Sequence, residues 1–206
     1  MTGATPTQPG QTVRSFVAVP LPESVRANLL AATGELARAL PQKDLKWSRK
    51  LENLHVTIKF LGPVEETKLA SFGGALAASL KALPPFGIEV RGMGAFPSLR
   101  KANVLWAGVA DEGRLGPVAE AVEEVASRLG IGERSTRPFR AHVTVGRSKQ
   151  GVDARAALAP FSERTFGAAS VDEALVFESR LGRGPDSVGS TYILRHKAAL
   201  GSHSSN

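Results

Sequence analysis

The sequence predicts a mixed fold of strands and helices, arranged as two pseudo-equivalent lobes around a shared core. Three observations carry this reading. Short β-branched and aromatic segments bounded by Pro and Gly alternate with Ala- and Leu-rich stretches of helical character. The tripeptide His-Val-Thr occurs twice, at His55 and at His142, each time followed by an apolar β-branched residue, Ile58 or Val145. The 206 residues, 42% of them apolar, suffice for one substantial core or two small lobes sharing one, but not for two large domains.

The elements follow in order. Residues 1–12, rich in Thr, Gly, Pro and Gln, are expected to be a disordered tail, and residues 199–206 a second one, leaving 13–198 as a single domain. Residues 15–19 read as a first strand, stopped by Pro20 and Pro22. Glu23 opens a helix to about residue 40, ended by Pro41. Residues 55–60 form a strand stopped by Gly62 and Pro63, and 65–80 a second amphipathic helix. Strands at 88–90 and 104–109 precede a third helix, 115–129, capped by Gly130. A strand at 142–145, a short helix within 152–158 and closing strands at 175–177 and 192–194 complete the series. The glycine-rich run 182–189 reads as a loop between the last two strands. It lacks Gly-Lys-Ser/Thr and so is no nucleotide P-loop. The order strand, helix, His-Val-Thr strand, helix thus appears twice, which suggests a duplicated unit. Two such lobes would set the His-Val-Thr strands face to face across a cleft.

Composition narrows the chemistry. With 26 basic against 19 acidic residues the net charge is +7, a surface that attracts phosphate-rich partners. No basic run of five or more residues exists, so a charged tail is not the device. No stretch approaches the ~18 uninterrupted apolar residues of a membrane helix, and the start lacks the basic and apolar segments of a signal peptide. The absence of cysteine excludes disulfides, thiolate nucleophiles and Cys-based zinc sites. These features predict a cytoplasmic protein with no membrane partner.

The repeated tripeptide carries the function. Strand side chains alternate between faces, so His55, Thr57 and Lys59 share one face while Val56, Ile58 and Phe60 share the other. His142 and Thr144 likewise oppose Val143 and Val145. An imidazole titrates near neutrality, so one histidine can take a proton while the other gives one. Each Thr hydroxyl lies beside its histidine and can donate to a phosphate oxygen. Two such pairs could grip one phosphate, with base and acid on opposite sides of phosphorus. A zinc site is the rival reading. It needs three or four protein ligands, yet no acidic residue lies within four positions of His142, and Glu52 has the wrong strand parity relative to His55.

Beyond the tripeptides, RSFVAVP at residues 14–20, LHVTIKFLG at 54–62, VLWAG at 104–108, RPFRAHVTVGR at 137–147 and YILR at 192–195 occur in a telling order. In these segments the chain resembles the two-histidine phosphoesterase superfamily, and within it the RNA 2′,3′-cyclic phosphodiesterases, also called 2′-5′ RNA ligases. The resemblance spans nearly all of residues 14–196. It implies an α+β, bilobal, pseudo-symmetric fold with two antiparallel sheets lining a central cleft and helices packed outside. It implies hydrolysis of an RNA terminal 2′,3′-cyclic phosphate to a 2′-phosphate, with no metal and no cofactor, and a weak ATP-independent 2′-5′ ligation. The family's paired motif maps onto His55, Thr57, His142 and Thr144, with His142 as base and His55 as acid, and its following arginine onto Arg147. The partner would be an oligoribonucleotide, and the protein a monomer.

The chain departs from the family pattern at two places. Ala141 stands where the family often has Pro. Arg147 has odd parity relative to His142, so a regular strand would aim it away, and a bulge or strand end at Gly146 could turn it back into the cleft. Further candidates for substrate contact are Lys59, Arg137 and Tyr192, with Phe139 stacking on a base. Trp47, Trp106, His196 and His203 are given no role. Two alternatives stand beside the hydrolase: an RNA-binding module of the same fold with a decayed site, and a phosphodiesterase of small cyclic nucleotides.

Overall fold

The computed structural model describes residues 10–40, 45–181 and 190–202. The chain runs β1 (Thr12–Val19), α1 (Glu23–Ala39), β2 (Leu45–Trp47), β3 (Val56–Glu65), α2 (Glu66–Leu80), β4 (Phe86–Ser98), β5 (Lys101–Ala110), α3 (Leu115–Arg128), β6 (His142–Val152), α4 (Arg155–Leu158), β7 (Thr165–Val171), β8 (Glu173–Leu181) and β9 (Ser190–Ala199). The strands form one curled antiparallel sheet, ordered β7-β4-β5-β6-β3-β1-β8-β9, with the short β2 added on β6.

The two lobes are the halves of this sheet, β6-β5-β4-β7 and β3-β1-β8-β9. They join at one residue pair, Val56 opposite Val143. The His-Val-Thr segments are therefore neighbours along the seam of a half-barrel, not opposite walls of a gap. Both valines are fully buried. Helices complete the outside and tie the halves together. α1 leaves β1 and crosses to pack on β6 and β7, while α2 lies on β9 and β3 and α3 lies on β3 and α2.

Several elements run longer than their sequence signals. β3 continues through Gly62 and Pro63, which pair with Ser15 and Arg14 of β1. Pro63 is tolerated because β3 meets β6 only at Val56, so the missing donor falls on an open edge. β2 and β7 had no sequence signal distinct enough to mark them. The inner ends of the two expected tails, Thr12 and residues 199–201, belong to the fold. Thr12 opens β1, and Leu200 and Gly201 donate to the carbonyls of Asp172 and Leu83, both at 2.8 Å. Residues 1–9, the segment 182–189 expected to be a loop, and His203 lie outside the described residues.

Register shifts also overturn one face assignment. Ile58 and Leu61 are the extra residues at two irregularities where β3 pairs with β1. The shift at Ile58 precedes Phe60 and reverses its parity, which leaves Phe60 opposite Phe16 on the other face. Phe60, expected in the core, is 63% exposed, and Leu61 is buried in its place. An extra residue moves every later side chain to the other face.

His196 occupies the outer face of its lobe beneath α2. A Cβ on Gly73 would overlap its ring. Alanine would gain about 1 kcal/mol of helix propensity, but overpacking a close contact costs about 1–3 kcal/mol. Gly73→Ala is thus expected to lower the urea midpoint with an unchanged m-value. In a His196→Ala background the same change should become neutral or stabilising, and equal losses in both backgrounds would contradict this packing.

Candidate active site

The seam pair dictates what surrounds it. With Val56 opposite Val143 in antiparallel register, Thr57 falls beside His142 and His55 beside Thr144. The two valines point into the core, so the histidines and threonines emerge together on the concave face. Thr57, His142, Thr144 and Arg147 line an open cleft of about 1340 Å³. α3 and the 131–141 segment also contribute to its wall, so the cleft is not bounded by strands alone.

Arg147 reaches the cleft through a shift in β6. Thr144 pairs with Trp106 of β5, Gly146 with Leu105 and Arg147 with Val104, leaving Val145 as the extra residue. This irregularity reverses the parity and returns Arg147 to the face of Thr144. A Cβ on Gly146 would lie 2.9 Å from the Trp47 ring, which is why the shift sits at a glycine.

Each histidine ends a row of aromatic rings. On one lobe Phe60, Phe16 and Phe177 are cross-strand partners on β3, β1 and β8. His55 is recessed among them, stacked on Phe16 at 5.1 Å and edge-on to Tyr192 at 5.4 Å between centroids. On the other lobe Phe96 meets the edge of His142 at 5.3 Å and lies 5.2 Å from Trp106.

These walls set the protonation chemistry. Desolvation pushes His55 from the usual 6.5 down to about 4, against a weak opposing contact from its Nδ1 to the Glu52 carbonyl. His142 is also lowered, mainly by burial and further by the Arg147 guanidinium, while its bond to the Arg140 carbonyl opposes the shift. Burial raises Tyr192, and the same guanidinium opposes that rise. Arg147 thus acts on groups from both lobes. His142 Nδ1 lies 2.7 Å from the Arg140 carbonyl. A carbonyl only accepts, so this nitrogen carries the hydrogen and Nε2 is left to exchange protons.

The remaining sequence candidates fall into place differently. Lys59 borders the cleft, but its side chain is only 9% exposed and its ammonium is already engaged. It bonds Glu123 Oε2 of α3 at 2.8 Å and the Glu133 carbonyl at 2.7 Å. Glu123 Oε1 in turn accepts from Ser135 N at 3.3 Å. Lys59 therefore holds the 131–141 segment instead of offering a free cation. Arg137 on that segment is exposed to the cleft. Phe139 is partly buried against the core. The strongly exposed ring is Phe60, and both phenylalanines line the cleft. Sequence reading missed Phe16, Phe177 and Phe96, because a ring on a strand gives no hint of which histidine it will meet.

Among the described residues, no three carboxylate or imidazole groups come together as a metal site would require, and no helix is long and apolar enough to cross a membrane.

Comparison with known proteins follows the same lines. Residues 19–106 match the family described as LigT like Phosphoesterase. The RNA 2′,3′-cyclic phosphodiesterase of Archaeoglobus fulgidus is 39% identical over 138 residues, covering 67% of this chain and 74% of the relative. That of Methanothermobacter thermautotrophicus is 34% identical over 137 residues, covering 66% and 72%. Escherichia coli LigT complexed with 3′-AMP superposes with a TM-score of 0.72 at 25% identity, over 92% of this chain and 99% of that one. A protein of Thermus thermophilus, TT0787, gives 0.69 at 30% identity, over 92% and 99%. With its paired His-Val-Thr segments on one seam and relatives of this similarity, the chain belongs to the LigT-like phosphoesterase family.

Proposed function

We propose that this protein hydrolyses the 2′,3′-cyclic phosphate at the end of an RNA, giving a 2′-phosphate and a free 3′-hydroxyl without a metal. The observation that carries the reading is the Val56–Val143 pairing, which brings two imidazoles and two hydroxyls to one spot. The relatives named as RNA 2′,3′-cyclic phosphodiesterases supply the substrate class. The absence of cysteine suits a reducing compartment, and we place the reaction in the cytoplasm.

In this mechanism Thr57, Thr144 and Arg147 hold the non-bridging phosphate oxygens. His142 Nε2 takes a proton from water as its oxygen bonds to phosphorus. The bond from phosphorus to the 3′-oxygen breaks, and His55 delivers its proton to that oxygen. The 2′-ester is kept. Phe60 favours this assignment of roles. It stands on the lobe of His55, and a terminal base stacked on it would turn the ribose and its leaving 3′-oxygen toward His55. Water would then approach from the lobe of His142. A 5′-hydroxyl in place of water would give a 2′-5′ linkage by the same displacement.

Three outcomes are expected. A short oligoribonucleotide with a cyclic phosphate end, incubated in excess EDTA, should yield a 2′-phosphate. His55→Ala and His142→Ala should each lose at least ~10²-fold in kcat. A product with a 3′-phosphate, or activity that returns only on adding a metal, would overturn the mechanism. RNA binding with no turnover at all would leave a binding module.

The pH dependence has a definite sign. The profile of kcat/KM reports the free enzyme. Both imidazoles are held below 6.5 there, so its bell should centre below pH 6.5. The acid limb is protonation of the base and the alkaline limb is deprotonation of the acid. A bound anionic phosphate raises both histidines, so the kcat profile should lie at higher pH. An optimum in kcat/KM above pH 7 would contradict this.

Stacking of a base on an aromatic ring is worth about 1–3 kcal/mol. Phe60→Ala should therefore lower kcat/KM by about tenfold or more, and Phe60→Trp should restore it. If Phe60→Ala leaves kcat/KM unchanged, the base lies elsewhere.

A further inference from the structure

Beyond Arg147 the seam strand continues past the reacting centre, and the charge on it is unusual. Lys46 of β2 lies directly opposite Arg147 of β6. Lys149 follows two residues on, on the same face, about 7 Å further along the strand. All three are exposed. None makes an ion pair with a described residue. Like charges directly opposite across an antiparallel pair repel. The fold nevertheless adds a strand of only three residues to present one of them.

The backbone beneath is held firmly. Asn103 of β5, itself on the cleft wall, donates its side-chain amide to the carbonyls of Ser148 and Lys149 at 3.2 and 3.4 Å. Gly151 N donates to Ser148 Oγ at 3.1 Å. Leu45, which pairs with Ser148, is buried on the opposite face. The three cations therefore stand on a fixed ribbon that leads away from the cleft, which Arg147 itself lines.

We propose that Lys46 and Lys149 form a second phosphate subsite, which takes the phosphodiester on the 5′ side of the terminal nucleotide while Arg147 holds the reacting phosphate. The spacing from Arg147 to Lys149 suits one step of an extended single strand. The repulsion between Lys46 and Arg147 is relieved when the two phosphates lie against them. This subsite rests on the hydrolytic reading above and adds to it a preference for oligonucleotides. A nucleoside 2′,3′-cyclic phosphate has no phosphodiester to place there.

The test compares two substrates, a cyclic-phosphate-ended pentaribonucleotide and a nucleoside 2′,3′-cyclic phosphate, with wild type and Lys46→Gln/Lys149→Gln. The double variant should lose about tenfold in kcat/KM for the pentanucleotide and stay within about twofold for the mononucleotide. Its log–log salt dependence for the pentanucleotide should be shallower by about 0.7 per lost phosphate contact. Equal losses on both substrates, or no loss on either, would overturn the subsite. Turnover of neither substrate by wild type would instead sink the hydrolytic reading. Binding of a 2′-phosphate-ended pentanucleotide, followed by fluorescence anisotropy against salt, then still decides the subsite: the double variant must bind more weakly with a shallower slope, and an unchanged slope rejects it.

Discussion

The single pairing of Val56 with Val143 is the constraint on which the rest of the molecule depends. It is the only register contact between the two half-sheets among the described residues. Its two side chains are wholly removed from water, and a strand's alternation then forces their flanking residues out on the other face. Had the register slipped by one residue, the histidines would enter the core and the valines would face solvent. Hydrophobic burial at the seam and chemistry at the cleft are thus one decision, made twice by the same tripeptide. α1, which crosses from β1 to the other lobe, and α3, which returns to β3, brace the seam from outside.

The aromatic rows serve both stability and reactivity. Phe16 is almost fully buried and gives its lobe a large apolar area. By stacking on His55 it also withdraws the imidazole from water, and the charged form suffers. Phe96 meets His142 edge-on from the other lobe. In the proposed reaction both rings enter as neutral groups in the free protein, and the substrate's phosphate supplies the charge that favours protonation. Binding and proton supply are coupled through that one anion.

The cations of the cleft divide into two kinds. Lys59 is nearly buried and saturated by Glu123 and the Glu133 carbonyl, so it fixes the approach of the 131–141 segment to β3. Arg147 is exposed, has no carboxylate partner among the described residues, and influences His142 and Tyr192 from opposite lobes. A buried lysine must be matched in place, since an unpaired buried charge is costly. An exposed cation can wait for a ligand. Residue type alone does not separate these behaviours.

Most of the elements, the two catalytic candidates with their threonines, and an irregularity near Gly146, which falls at Val145, were legible in the sequence. Local patterns encode them: periodicity, Pro and Gly stops, and a repeated tripeptide. The extent of β3 and β4, the existence of β2 and β7, and the adjacency of the two motifs were not legible, because strand pairing is decided between distant segments. The exposure of Phe60 has the same origin. A register shift against β1 sets the face of Phe60, and nothing within the LHVTIKFLG segment reports it. The sequence by itself determined which side chains were available for proton transfer and phosphate binding. Tertiary structure alone decided which of them meet, which are already satisfied and how far each is desolvated, since those depend on neighbours brought from elsewhere in the chain.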